Sequence, residues 1–299
     1  MKHYFVINPI AGKENQSEKL TKEIESIFIG RENEYQIYIT KGIGDAQRYV
    51  RKHCESIKED ITFYACGGDG TTNEVANGLI GSPHAHLSII KTGSCNDFLK
   101  NFPDYDFRNI EKAVNGSIKL IDTLKVNDRY TINVANIGFD AKVNADACEY
   151  KIKNMKTAYN FAIARNLLSK MSRYALVEAD GKVIYEGKML LMTFANGAFY
   201  GGGYNCAPRA ICDDGLQEIT IIKKVSRFTL IRLLKAYRYG KHITNPKFQN
   251  IVTYQQAKKT KIISPKVLNV CLDGENFLWQ EIEIEVMEKA IKMIFPKCI

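Results

Sequence analysis

The chain has 299 residues, 45% hydrophobic and 25% charged, ordinary values for a folded protein that rule against intrinsic disorder. No apolar run approaches the ~18 residues that span a bilayer, and eight cysteines with no C-x-x-C spacing read as reduced cytosolic thiols. The net charge of +9 is uneven: residues 1–124 carry 15 Lys+Arg against 17 Asp+Glu, so the whole excess belongs to residues 125–299. Such asymmetry points to an anionic partner, and an anionic membrane surface fits better than nucleic acid because the aromatics form no RNA-binding pattern.

Tyr4 to Asn8 reads as a buried strand closed by Asn8-Pro9. Leu20, Ile24, Ile27 and Phe28 recur at helical spacing. Tyr35 to Thr40 alternates like a strand, and Asp45 is placed to cap the helix that follows. Ile61 to Cys66 is a strand ended by Gly67-Gly68, Thr72 to Leu79 a helix, and Leu87 to Ile90 a strand. Strands alternating with helices predict a parallel sheet flanked by helices. From about Lys119 the pattern changes to short strands: a hairpin Ile118–Val126 and Tyr130–Gly138, a turn at Gly181-Lys182, and further strands to Val286. That half predicts a β-sandwich, with basic helical insertions near 154–171 and 227–239. The domains expected are 1–124 with the apolar tail 290–299 returning to it, and 125–289. Cys66, Cys95 and Cys271 read as small buried hydrophobes.

Gly67-Gly68-Asp69-Gly70-Thr71 lies between a strand and a helix. Three glycines let the backbone approach a ligand, and the helix N-terminus favours phosphate. Thr92-Gly93-Ser94-Cys95-Asn96-Asp97 and Asn8 to Lys13 also follow strands, and loops at the carboxyl ends of parallel strands converge. Together they read as a nucleoside triphosphate site with Lys13 as counter-charge. A carboxylate beside phosphate requires a cation, so Asp69, Asp97 and Asp122 are candidates for organising Mg²⁺. On residues alone, Asp213-Asp214-Gly215 and Asp273-Gly274 read as ordinary turns.

In order, NPIAGK from Asn8, GGDGTTNEVANGL from Gly67, TGSCNDF from Thr92, NIGFDA from Asn136, GGGYNCAPRAICDDGL from Gly201 and LDGE from Leu272 resemble the diacylglycerol kinase catalytic domain family over nearly the whole chain. The GGDGT element is shared with NAD kinases and phosphofructokinases. The resemblance implies an ATP-binding α/β domain, a C-terminal β-sandwich that helps bind lipid, and an active site between them. It implies that Thr40, Gly67, Gly68, Asp69, Gly70, Thr71, Thr72, Asn73 and Ser94 contact ATP. Asn8, Lys13, Asp69, Asn96, Asp97 and Asp122 would form the polar, Mg²⁺-linked network. Asp273 would be the general base with Glu275 beside it, and Asp214 with the backbone oxygens of Ile211 and Leu216 would hold a divalent ion, reversing the plain-turn reading. Lys91 and the pair Gln217-Glu218 depart from the family pattern, and Lys156 or Arg165 would supply a basic residue from the second domain. The activity implied is phosphorylation of a lipid hydroxyl, most simply diacylglycerol, by a cytoplasmic protein that visits the inner membrane face. A homodimer is compatible with the sequence. The rival readings are an NAD kinase-like phosphotransferase and a catalytically silent nucleotide- or lipid-binding protein.

Overall fold

The computed structural model describes residues 1–12, 14–93, 95–150, 155–167 and 172–297; Lys13, Ser94 and the side chain of Lys156 lie outside the described residues. The chain divides into two compact units, Met1–Asp122 with Glu288–Ile299, and Thr123–Met287.

Unit 1 alternates strands and helices: β1 (Lys2–Ile7), α1 (Ser17–Ile27), β2 (Tyr35–Ile39), α2 (Asp45–Ser56), β3 (Ile61–Gly67), α3 (Asp69–Leu79), β4 (Ala85–Lys91), the short α4 (Ile110–Val114) and β5 (Ser117–Val126), which continues into unit 2. Its sheet runs β2-β1-β3-β4, in parallel register, and residues 292–294 add a further parallel pairing against β4. Parallel strands are covered on both faces, which explains why β3 is buried at every position. Leu20, Ile24 and Phe28 bury the inner stripe of α1, as their spacing requires. On α3, a Cβ at Gly78 would lie 2.6 Å from the Val50 Cβ, so the missing side chain is what lets α2 close on α3. Phe295 is buried, with the rings of Phe102, Tyr105 and Phe107 around it.

Two local expectations change. α3 begins at Asp69, three residues before the expected Thr72, so the glycine turn is itself the helix N-terminus. Asp45 is not the cap of α2: that position is Gly44, whose φ of +75° suits glycine. The Glu74 carboxylate accepts the N–H groups of Gly44 (2.8 Å) and Ala46 (3.1 Å). Asp45 instead accepts from the Lys41 N–H and the Tyr38 hydroxyl.

Unit 2 contains β6 (Arg129–Thr131), β7 (Val134–Gly138), α5 (Phe139–Glu149), α6 (Met155–Leu167), β8 (Arg173–Ala179), β9 (Lys182–Ala195), the two-residue β10 (Phe199–Tyr200) and β11 (Tyr204–Asn205), β12 (Gln217–Lys223), α7 (Arg227–Arg238), β13 (Val252–Ala257), β14 (Lys259–Leu272) and β15 (Glu275–Phe295), whose last turns of chain pass into unit 1. Its strand pairs are antiparallel, and antiparallel pairs predominate over the chain as a whole. The order is β13-β12-β9-β7-β14-β15, with β8 pairing both β9 and β14. One core gathers Leu124, Val177, Phe194, Leu268 and Ile282 on a strand face. A second packs Leu190 and Leu191 of β9 against Val143, Leu230 and Leu233 of the helices. Each fully buried side chain of this size contributes roughly 1.5–3 kcal/mol.

The hairpin expected to end at Gly138 stops sooner. β5 pairs with the three residues of β6 and, separately, with β15, while β7 pairs with β9 and β14. The β8–β9 turn falls one residue earlier than expected, on Asp180 (φ +47°) and Gly181 (φ +78°), a left-handed Asp-Gly pair typical of tight hairpins. The helix α5 was not expected; Gly138 breaks the apolar run at φ +96°. Cys66 and Cys271 are buried, but Cys95 is exposed, because its turn leaves the sheet.

Candidate active site

In unit 1 the ends of β1 and β3 and the loop after β4 meet around the head of α3. The Asn8 N–H donates to the Cys66 carbonyl (3.0 Å), and the Asn8 side chain donates to the Thr71 hydroxyl (2.9 Å). The Asn8 amide oxygen in turn accepts the Ile10 N–H. The Gly67 carbonyl accepts the N–H groups of Thr92 and Gly93 and the Asn96 side-chain amide (3.0 Å). The loops touch where only glycine fits: a Cβ at Gly93 would stand 2.4 Å from the Gly68 Cα, and one at Gly67 would stand 2.3 Å from the Thr71 hydroxyl oxygen. At Gly70 a Cβ would meet no heavy atom within 4 Å. The first turn of α3 therefore presents N–H groups that helix geometry leaves without intrahelical acceptors, beside open space.

Asp69 accepts the Phe98 N–H (3.4 Å). Asp97 is buried and paired with the Lys100 ammonium. Asn96, nearly fully buried with φ +46°, has its amide oxygen buried without a hydrogen-bond partner. Such an orphaned oxygen costs about 1–3 kcal/mol unless a ligand or ion meets it. Two carboxylates and an amide oxygen form the hard-oxygen donor set that Mg²⁺ takes. The other expected contributors are engaged differently. The Thr40 N–H donates to the Ile7 carbonyl (2.9 Å), at the strand end next to Asn8. Thr72 donates to the Gly68 carbonyl, and the Asn73 amide oxygen accepts from Asn77 within α3. Asp122 is fully buried and accepts the Lys289 N–H (2.6 Å), where that residue turns left-handed at φ +52°. Sequence reasoning passed over Glu74, although it lies inside the GGDGTTNEVANGL run; its spacing from Gly70 along α3 is the signal that was available.

In unit 2, Asp273 sits in the β14–β15 turn at φ +46°. Its carboxylate accepts three successive N–H groups, from Ile132 (2.8 Å), Asn133 (3.3 Å) and Val134 (2.9 Å). Burial pushes its carboxyl above the usual range, while the Thr131 hydroxyl and the three N–H groups pull against the rise. A fixed carboxylate with a raised proton affinity is what a general base needs. Glu275 follows at the start of β15. Asn133, also missed, has its amide oxygen buried and unpartnered beside this turn while its amide donates to the Phe199 carbonyl. Arg165 is exposed and donates to the Tyr150 hydroxyl (3.1 Å).

Elsewhere in unit 2, the Leu216 N–H donates to the Asp214 carboxylate (3.0 Å), with Gly215 at φ +75° and Ile211 exposed just before. Glu218 is buried two positions beyond this turn. Burial raises its carboxyl, the Gln256 amide and Tyr254 hydroxyl lower it, and the Asp214 charge adds to the rise. The Asp214 and Glu218 carboxylates repel each other, and carboxylate oxygens are donors that a divalent cation takes. Among the described residues no cluster of three His, Cys, Asp or Glu is placed to hold a metal alone, so backbone oxygens or a substrate must complete any such site. Asp140 is buried, and the Tyr200 hydroxyl donates to it; burial pushes its carboxyl up to about 6.

Residues 2–126 match the diacylglycerol kinase catalytic domain, and residues 133–295 match the YegS C-terminal NAD kinase beta sandwich-like domain. A YegS-like lipid kinase of Enterobacter sp. (strain 638) is 29% identical over 95% of this chain and 94% of its own length. A diacylglycerol kinase of Bacillus subtilis (strain 168) is 28% identical over 98% and 95%. The crystal structure of a diacylglycerol kinase from Bacillus anthracis str. Sterne superimposes with a TM-score of 0.72 at 25% identity, covering 98% of this chain and 96% of that one.

Proposed function

The chain belongs to the diacylglycerol kinase and YegS-like lipid kinase family, a phosphotransferase family, and on that premise we propose that it transfers the γ-phosphoryl group of ATP to the free hydroxyl of diacylglycerol, giving phosphatidic acid. The observation that carries the reading is the head of α3, where Gly68 and Gly70 bring no side chain to the first helical turn and a Cβ at Gly70 would meet open space. A triphosphate is the ligand this arrangement suits.

In this reading Gly68, Asp69, Gly70 and Thr71 hold phosphate oxygens through the backbone, and Asn8 fixes Thr71. Asp69, Asp97 and the Asn96 amide oxygen would hold Mg²⁺, which offsets phosphate charge. Asp273 accepts the proton of the attacking hydroxyl, and that oxygen bonds to the γ-phosphorus as the bridging bond to ADP breaks. The three N–H groups on Asp273 aim the carboxylate and hold it still. Phosphoryl transfer needs little covalent help, so this positioning is most of the work. The Ile211 and Leu216 carbonyls with Asp214 and Glu218 would hold a second, structural divalent ion. The lipid stays in its bilayer, so the protein must visit an anionic membrane surface; among the described residues no helix is long and apolar enough to cross one.

The likeness of residues 133–295 to an NAD kinase sandwich keeps NAD as the second acceptor to test. Labelled ATP offered with diacylglycerol in mixed micelles, with other long-chain alcohols, or with NAD separates the cases. Label in phosphatidic acid supports the proposal; label in NADP, or in another lipid alone, replaces it.

A further inference from the structure

Unit 2 carries a groove of about 800 Å³ whose lining includes Arg173, Lys188, Lys224 and Lys266 and no carboxylate. Apolar side chains, Leu190, Val225 and Val267, share that lining. The cations are brought together by the sheet. Tyr174 pairs with Lys188 across β8 and β9, and the Lys224 N–H donates to the Lys188 carbonyl (2.8 Å). Lys266 arrives on a bulge: β14 loses register with β15 between Ile263 and Leu268, and the excursion pushes Pro265, Lys266 and Val267 outward. Among the described residues no ion pair involves Lys188, Lys224 or Lys266. Gathering these three lysines with no ion pair among the described residues is unfavourable and unexplained by the fold.

The groove leads along the chain into α7. Lys224 and Val225 line it, and Ser226 caps the helix by accepting the Thr229 N–H. α7 buries Leu230, Leu233 and Tyr237. Its opposite side exposes Phe228 (80%) and Ile231 (56%), one turn apart, among Arg227, Arg232 and Lys235. A helix packed on its own core has no structural reason to offer a phenylalanine to water. Apolar side chains at one turn's spacing, ringed by basic residues, are the pattern of a helix that dips into a lipid interface.

We propose that this groove and the outer side of α7 form the face by which unit 2 docks on a bilayer rich in anionic phospholipid. The four cations take lipid phosphates, while Phe228 and Ile231 enter the acyl boundary. The inference rests on the lipid-kinase reading for its purpose, and it adds the surface and the chemistry of the partner. None of these residues belongs to the phosphate-binding turn or the Asp273 turn.

The test uses the full chain and sedimentation with vesicles of phosphatidylcholine, with and without phosphatidylglycerol. Binding should require phosphatidylglycerol and weaken steeply with added salt. Each basic residue near such a surface is worth about fivefold in partitioning, so the double change Lys224→Gln with Lys266→Gln should weaken binding roughly 30-fold. Phe228→Ser with Ile231→Ser should weaken it about tenfold or more, including at high salt. All four side chains are exposed, and both variants should phosphorylate a short-chain, monomerically dispersed acceptor as well as the unaltered protein does. Unchanged partitioning in both variants, equal binding to pure phosphatidylcholine, or binding of duplex DNA in place of vesicles overturns the proposal. A protein that binds anionic vesicles through these residues but phosphorylates nothing sinks the kinase reading and leaves the docking face standing. A protein that phosphorylates the soluble acceptor but ignores vesicles does the reverse.

Discussion

Both units build a site from backbone N–H groups, and they use them in opposite ways. At the head of α3 the N–H groups face a turn kept open by glycine. At the β14–β15 turn the N–H groups of Ile132, Asn133 and Val134 are already committed to the Asp273 carboxylate. On the proposed reading the first array receives an outside anion; the second already holds an inside one. The difference lies in which side chain the sequence supplies: none at Gly68 and Gly70, and a short acid forced to positive φ at Asp273. Equivalent backbone chemistry thus leaves an open turn in one unit and a held carboxylate in the other.

The largest effect should come from unmounting the base. Asp273→Asn keeps the shape but removes the proton acceptor and turns an amide NH₂ toward backbone donors. Turnover should fall about 10²- to 10⁴-fold, and calorimetric titration should show ATP binding kept. Loss of ATP affinity equal to the loss of turnover would show that the two arrays do not divide the labour as described. Next comes Gly93→Ala, which drives a methyl to 2.4 Å from the Gly68 Cα. Backbone cannot yield as a flexible side chain does, so the cost should be about 1–3 kcal/mol in denaturant unfolding, with weakened ATP binding. An unchanged midpoint would mean that the two loops are not held together by that contact.

Legibility in the sequence followed the same division. The elements of unit 1 could be read from apolar runs and helical spacing, because parallel strands buried on both faces leave a strong signal, as in Ile61 to Cys66. The glycine turn was legible because consecutive glycines have few other uses. Unit 2 was harder. Its strands are paired at long range, so the partners of β7 could not be inferred from Tyr130 to Gly138, and the expected hairpin extends only as far as Thr131. The N–H cradle of Asp273 is likewise invisible, since its donors lie about 140 positions away in sequence. Asp273-Gly274 alone looks like any tight turn; its importance came from resemblance.

Asp140 sharpens the comparison as a carboxyl buried against the Tyr200 hydroxyl rather than in an N–H cradle. Burial lifts it to about 6. The folded state then holds this proton more tightly than the unfolded chain does. Stability from this group is fully present below the ordinary carboxylate value and is lost as pH rises through about 6. At neutral pH the ionised group costs on the order of 1–3 kcal/mol. Asp140→Asn mimics the protonated form, so it should raise the melting temperature at neutral pH and add little near pH ~4. His242, held down to about 4 by burial, has the opposite sign and is common to both proteins, so the difference curve isolates Asp140. A difference independent of pH would show that the carboxyl is not buried in its charged form.

The smallest effect is the most diagnostic for the open array. Gly70 lies in the first turn of α3, at negative φ, with no atom where a Cβ would go. Alanine there removes unfolded-chain freedom without a clash, so Gly70→Ala should leave stability unchanged or raise it by up to ~1 kcal/mol. The same methyl stands in the space assigned to the triphosphate, so ATP affinity should fall. A variant that is more stable yet binds ATP less well could not be explained by damage to the fold; it would mean that the empty space itself is the binding feature. If stability drops, or if ATP binds as before, the glycine serves the helix and the phosphates lie elsewhere.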